Sequence, residues 1–126
     1  MIDHVSIAVR DLNACGLFYD AVLTAIGFSR LVTRPGTIGF GKKYPEFWLN
    51  ERRAMTPVDP DSGVHVCLRA RGADAVQAFH AVAIEAGCTS DGEPGPRSGQ
   101  IKGYYAAFIR DPEGNRIEAA TFNADP

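Results

Sequence analysis

The chain holds 126 residues, 45% of them hydrophobic and 22% charged, with a formal net charge of −2. That size and balance suit a single domain with its own core, and the mild acidity gives no basic footprint for nucleic acid or an anionic membrane. No apolar run nears the roughly 20 residues a membrane span needs, and the N-terminus enters an alternating strand instead of a signal peptide.

Cys15, Cys67 and Cys88 are odd in number, widely spaced and without a CxxC pair. This fits reduced thiols in a cytoplasmic protein better than a disulfide framework. In chain order, Ile2 to Val9 alternates, with Val5, Ile7 and Val9 on one face and His4, Ser6 and Ala8 on the other. Asp11 is a suitable N-cap for a helix over about Leu12 to Ile26, closed by Gly27. Three strands are expected next, Phe28 to Thr33, Thr37 to Gly41 and Glu46 to Asn50, separated by short turns. Glu51 to Ser62, with two prolines, has linker composition.

The pattern then starts again. Gly63 to Ala70 alternates, with His65, Cys67 and Arg69 on its less apolar face. A helix over about Ala73 to Ala86 follows, closed by Gly87, and Cys88 to Gly92 reads as a weak strand. Glu93 to Lys102 reads as a Gly- and Pro-rich loop able to close over a neighbouring face. A final hairpin runs from Tyr104 to Ile109, turns through Asp111-Pro112-Glu113-Gly114-Asn115, and returns from Arg116 to about Phe122. Ile117, Ala119 and Thr121 share one face of the last strand; Arg116, Glu118 and Ala120 share the other.

The two halves superpose as strand–helix–three strands. His4-Val5-Ser6-Ile7-Ala8 aligns with His65-Val66-Cys67-Leu68-Arg69, and the same offset carries Phe18 onto Phe79. Such self-similarity marks an internal duplication. Pairing Phe40 with Phe108 then makes Trp48 the counterpart of Glu118. The fold expected is α+β: two tandem βαβββ modules, about residues 1–50 and 63–122 of one domain spanning 1–126, forming an open, cup-shaped mixed sheet with helices on the outer face. His4, Trp48, His65 and Glu118 then face the concave side. From the residues alone two readings stand. The histidines are structural and inherited from one ancestral half, or two imidazoles and a carboxylate form a triad for Fe, Mn, Ni, Co or Zn.

His4 within IDHVSIAVRDL, Phe18-Tyr19 followed by AVL and IGF, His65, and the closing DPEGNRIE resemble the vicinal oxygen chelate superfamily of glyoxalase I, extradiol dioxygenases and bleomycin-resistance proteins. The resemblance covers essentially the whole chain. It implies paired βαβββ modules, completion as a homodimer, and His4, His65 and Glu118 in three of the four usual metal positions. The fourth position, Glu or Gln in glyoxalase I, is Trp48 here, with Glu46 two residues earlier on the same face.

The function expected is that of a divalent-metal-dependent enzyme, of glyoxalase I-like lyase or isomerase type or of ring-cleaving dioxygenase type. Its substrate would be a small oxygen-chelating organic molecule. Glu118 serves as ligand and catalytic proton shuttle, while Trp48, one of Tyr104 and Tyr105, and Arg69 line the pocket. The alternatives are a metal-free binding protein of the bleomycin-resistance kind and a sensory domain with a vestigial site.

Overall fold

The computed structural model describes residues 1–99 and 101–123. Ten elements follow in the order β1 (Val5–Val9), α1 (Leu12–Thr24), β2 (Ser29–Arg34), β3 (Thr37–Gly41), β4 (Pro45–Glu51), β5 (His65–Arg69), α2 (Ala73–Glu85), β6 (Thr89–Pro96), β7 (Tyr105–Arg110) and β8 (Arg116–Thr121). They build two four-stranded sheets of identical topology, ordered β1-β4-β3-β2 and β5-β8-β7-β6. In each, the first and last strands of the module run parallel and the other pairs are antiparallel. The α+β class and the paired βαβββ modules are as expected, as are the open sheets.

The duplication extends to hydrogen bonds. Helix α1 is capped by Asp11, whose carboxylate accepts from the Ala14 amide at 3.0 Å. Past its end Gly27 takes φ 86°, and Phe28 N–H returns to the Leu23 carbonyl at 2.9 Å. Helix α2 ends the same way: Gly87 takes φ 91°, and Cys88 N–H reaches the Ala83 carbonyl at 3.1 Å. Glycine adopts that left-handed turn without a Cβ penalty.

Each helix covers the apolar face of its own sheet and packs on the other helix. Val9, Phe40, Phe47 and Leu49 from the first sheet and Ile109, Ile117 and Ala119 from the second are fully buried in one continuous core. Phe18, Tyr19 and Val22 on α1 and Val76, Phe79 and Ala83 on α2 complete it. His80 belongs to this side too. It is buried on α2, and its Nε2 is 2.8 Å from Ser90 Oγ, away from the open face.

The DPEGN turn is a clamp between modules. Asp111 Oδ1 accepts from the Glu113 and Asn115 amides at 2.9 and 2.8 Å, while Oδ2 accepts the buried Tyr19 hydroxyl at 2.7 Å. Asn115 then donates to the Ala8 carbonyl at 3.1 Å, and Arg10 donates to Glu113 at 2.7 Å. Residues of β1, of α1 and of the loop between them are thus tied to the β7–β8 turn.

Four expectations need correction. The first strand begins at Val5, so Ile2 to His4 form an exposed lead-in, and the fifth begins at His65, leaving Val64 exposed outside the sheet. The weak strand expected over Cys88 to Gly92 extends to Pro96, so only about residues 97–103 remain as loop, with Gln100 outside the described residues. β6 is an edge strand, where prolines are tolerated, and its two register shifts absorb the glycines. Gly92 has a packing reason as well, because a Cβ there would stand 3.0 Å from Phe108 Cδ1. Phe40 is not the counterpart of Phe108, since Phe40 pairs with Phe47 toward the core and Phe108 pairs with Glu118 on the open face. Trp48 remains the counterpart of Glu118, because Ser6 opposes Trp48 as Cys67 opposes Glu118.

Candidate active site on the open sheet faces

On β8, alternation turns Ile117 and Ala119 toward α2 and Glu118 toward the open face. The flanking strands place Cys67 and Phe108 directly beside it. Although that face is open, Glu118 is only 2% exposed. Two side chains hold its carboxylate: His65 Nε2 lies 3.0 Å from Oε1, and the Tyr104 hydroxyl donates to Oε2 at 2.5 Å. His65, half exposed at the start of β5, also tilts toward the Phe108 ring with centroids 6.0 Å apart. Burying a carboxylate demands such partners.

Tyr104 and Tyr105 point to opposite sides, and the structure chooses between them. Tyr104 meets Glu118, with its ring stacked on Phe122 at 5.0 Å. Tyr105 turns toward α2, packs against the core and accepts from Gln77 Nε2 at 2.9 Å. Its place as a pocket residue is therefore corrected: alternation sends it to the covered face. Arg69 stays on the open face, its guanidinium 4.7 Å from the Phe122 ring centroid. Arg116 and Arg110 share that face but are engaged by Asp91, at 2.7 and 3.5 Å.

The first sheet carries its own hollow, about 230 Å³, lined by His4, Ser6, Arg34, Thr37, Trp48 and Asn50. The Trp48 indole lies against Gly39, where any Cβ would come within 2.9 Å of the ring. Asn50 Nδ2 donates to Ser6 Oγ beside it. His4 pairs with Asp3 at 2.7 Å instead of meeting His65 or Glu118. Glu46 lines a separate hollow between the modules with Lys42, Cys67 and Arg69. Among the described residues, no three His, Cys, Asp or Glu side chains are grouped to hold a metal ion. One chain therefore joins His65 to Glu118 but leaves His4 on the other open face. Sequence reasoning also passed over Arg34, which looked like an ordinary turn residue before Pro35.

A larger hollow, about 680 Å³, adjoins the first, and its lining includes Arg10, Asp11, Arg30, Arg34, Glu51 and Arg53. It holds no histidine, and three of its arginines are tied up: Arg10 by Glu113, Arg30 by Asp20 and Arg53 by Glu51. Size alone does not make it the reactive site.

The three thiols and the Tyr104 phenol are held neutral. Burial, with a smaller push from the Asp111 charge, raises Cys15 from 9.0 to about 12 and Cys88 to about 11. Desolvation and the Glu118 carboxylate raise Tyr104 from 10.0 to about 12 and Cys67 to about 12. Tyr104 is thus a proton donor at neutral pH, and none of the three free cysteines is an activated nucleophile.

A pH dependence follows. Groups whose folded pKa lies above the unfolded value stabilise fully below the unfolded pKa and lose that contribution as pH rises through the folded one. The window runs from 9.0 to about 12 for Cys15 and from 9.0 to about 11 for Cys88, with a slope of about 1.4 kcal/mol per pH unit for each group. Urea midpoints measured from pH 8 to 11 should fall steadily above pH 9, and less steeply in Cys15→Ala. A flat profile would contradict the burial of these thiols.

The sequence matches the profile of the Glyoxalase/Bleomycin resistance protein/Dioxygenase superfamily over residues 1–119. The chain belongs to that superfamily. Among solved structures of this superfamily, it is similar to a glyoxalase/bleomycin resistance protein from Albidiferax ferrireducens. The two are 31% identical over 94% of this chain and 97% of that one, with a TM-score of 0.83. A lactoylglutathione lyase from Agrobacterium tumefaciens shares the fold at 19% identity over 98% of this chain and 94% of its own, with a TM-score of 0.66. So does a fosfomycin resistance protein, FosX, from Listeria monocytogenes, solved with Mn(II) and a dihydroxypropylphosphonic acid. It is 13% identical over 99% of this chain and 90% of its own, with a TM-score of 0.70. No curated protein sequence matches the chain. No helix among the described residues is long and apolar enough to cross a membrane.

Proposed function

We propose that this superfamily member is a divalent-metal-dependent enzyme acting on a small, oxygen-chelating organic substrate. Its working form is a homodimer in which the first open face of one copy meets the second open face of the other. The observation that carries this reading is the His65–Glu118 pair, an imidazole 3.0 Å from a carboxylate that is 2% exposed on an otherwise open face. A nitrogen and an oxygen donor of this kind suit the borderline ions of the first transition row. His4, isolated on the other face, supplies the third donor when two copies meet. Trp48 stands where a fourth carboxylate-type ligand would be and makes a wall instead. The triad of two histidines and one carboxylate then leaves positions open for substrate.

A bound ion would supply Lewis-acid stabilisation of negative charge developing on substrate oxygens. The chain's own groups handle protons. Tyr104 keeps its proton and fixes Glu118 through Oε2, so Oε1 is the oxygen available to His65 or to a ligand. Glu118 is the group to accept and return a proton, at Oε1 when that oxygen is released from its other partners, because Oε2 is committed to Tyr104. Arg69 borders the same face, and joining two open faces would exclude water from both.

One observation favours a second reading. Both Glu118 oxygens already have hydrogen-bond partners without any ion, as a metal-free binding protein would require. Metal content separates the two. Untagged protein reconstituted with Fe, Mn, Ni, Co or Zn should bind near-stoichiometric metal. Glu118→Gln should weaken that affinity about tenfold or more while leaving the fold intact, as circular dichroism would verify. Equal metal affinity in the variant would sink the assignment, and no binding of any ion would leave the metal-free reading.

A further inference from the structure

Arg34 closes β2, and its guanidinium carbon lies 5.5 Å from the centroid of the Trp48 ring. Two carboxylates share a hollow with it, and both are engaged: Glu51 is bonded to Arg53 at 3.2 Å, and Asp11 caps α1 by accepting from the Ala14 amide. Within the smaller hollow its neighbours His4, Ser6, Thr37, Trp48 and Asn50 include no carboxylate. Among the described residues no acid pairs with it. The contrast with Arg30 is direct. Arg30 also lies over a ring, that of Phe40, but a bidentate bond to Asp20 at 2.7 and 2.8 Å pairs its charge and takes up one edge of its fork.

A guanidinium stacked on an aromatic ring is held by its face and keeps its in-plane N–H edge free, and that edge matches carboxylate and phosphonate oxygens two at a time. Trp48 in turn can lie flat only because Gly39 has no side chain. The second open face repeats the charge pattern. Arg69 and Arg97 lie 4.7 and 5.3 Å from the ring centroids of Phe122 and Phe108, and among the described residues neither pairs with an acid. A chain with a net charge of −2 therefore keeps on each open face a ring-held guanidinium that no acid pairs with, and positive charge of that kind focuses anions into a hollow.

We propose that Arg34, seated on Trp48, anchors an oxyanion of the substrate, so that the site selects a small organic carboxylate, phosphonate or phosphate over its neutral analogue. The inference rests on the reading of the open faces as the substrate site, and the metal plays no part in it. Trp48, one of the residues positioning the anchor, is the chain's single tryptophan, so its emission reports on this hollow alone.

The test uses metal-depleted full-length protein at constant ionic strength, titrated with benzoate, phenylphosphonate, phenyl phosphate and neutral benzamide while tryptophan emission is recorded. At least one anion should give a saturable change that benzamide does not. Arg34→Gln should weaken that binding about 10- to 100-fold, the range for losing a charge-assisted pair. Arg34→Lys, which keeps the charge without the fork, should fall between. Which anion binds best identifies the carboxylate, phosphonate or phosphate source. Benzamide binding as well as benzoate, an unaffected Arg34→Gln, or no saturable change with any anion would each overturn the proposal. Arg34 is exposed, so an unchanged melting temperature verifies that each variant is folded. Because no metal is present, failure here and failure of metal binding are separate results.

Discussion

Co-refolding His4→Ala chains with equal amounts of Glu118→Gln chains should restore metal binding in about a quarter of the sites, although each variant alone binds poorly. Random pairing gives half mixed dimers, and in a closed two-fold dimer each of those contains one site with both lesions and one with neither. The expectation follows from the geometry of a single chain, where His65 and Glu118 lie 3.0 Å apart while His4 sits in a different hollow. Metal retained by the mixture, read by elemental mass spectrometry, decides the matter. A mixture no better than its components would place all three ligands within one chain, or show that they do not form a site.

Asp111→Ala should be the most damaging single change to the fold. One carboxylate, 4% exposed, accepts four hydrogen bonds: from Tyr19, from two turn amides and from the Asn115 side chain. Removing it leaves the fully buried Tyr19 hydroxyl without an acceptor and frees the turn that holds the two modules together. The loss expected is about 3–5 kcal/mol, the usual cost of stranding buried polar partners, or a melting temperature lower by roughly 10 °C or more. Tyr19→Phe, which removes donor and need together, should cost far less. Similar losses in the two variants would show that the clamp contributes little beyond the packing of the ring. Acid is not expected to mimic the mutation. Burial raises the Asp111 pKa above its usual 3.8 despite the hydrogen bonds that oppose it. Its linkage term is therefore complete at low pH and lost as pH rises through the folded value.

Much of the fold was legible because alternation and helix-ending glycines are local signals. Val5, Ile7 and Val9 declare one face of β1, and Gly27 and Gly87 close both helices. The duplication was legible too; its pairing of Phe40 with Phe108 was off, yet Trp48 does stand opposite Glu118 in the repeat. The rest depended on partners distant in sequence. β6 runs through DGEPGP because β7 pairs with it, which composition does not reveal. Tyr19 and Asp111 are 92 residues apart, so a turn motif that looked like local chemistry is a brace between halves. For the site, alternation identified which residues face outward, and Glu118 and His65 do meet. A repeat describes what each half contains but not which halves face one another, and that relation governs His4. Arg34 escaped notice because its meaning comes from the indole of Trp48, which reaches it across β3.

The dimer proposed above also bears on how much protein a cell must make. A site divided between two copies exists only while they are paired. Below the dissociation constant of the pair, complete sites therefore fall with the square of chain concentration. A tenfold drop in expression would then cost about a hundredfold in working sites, so gene dosage itself would act as a switch, with no separate regulator required.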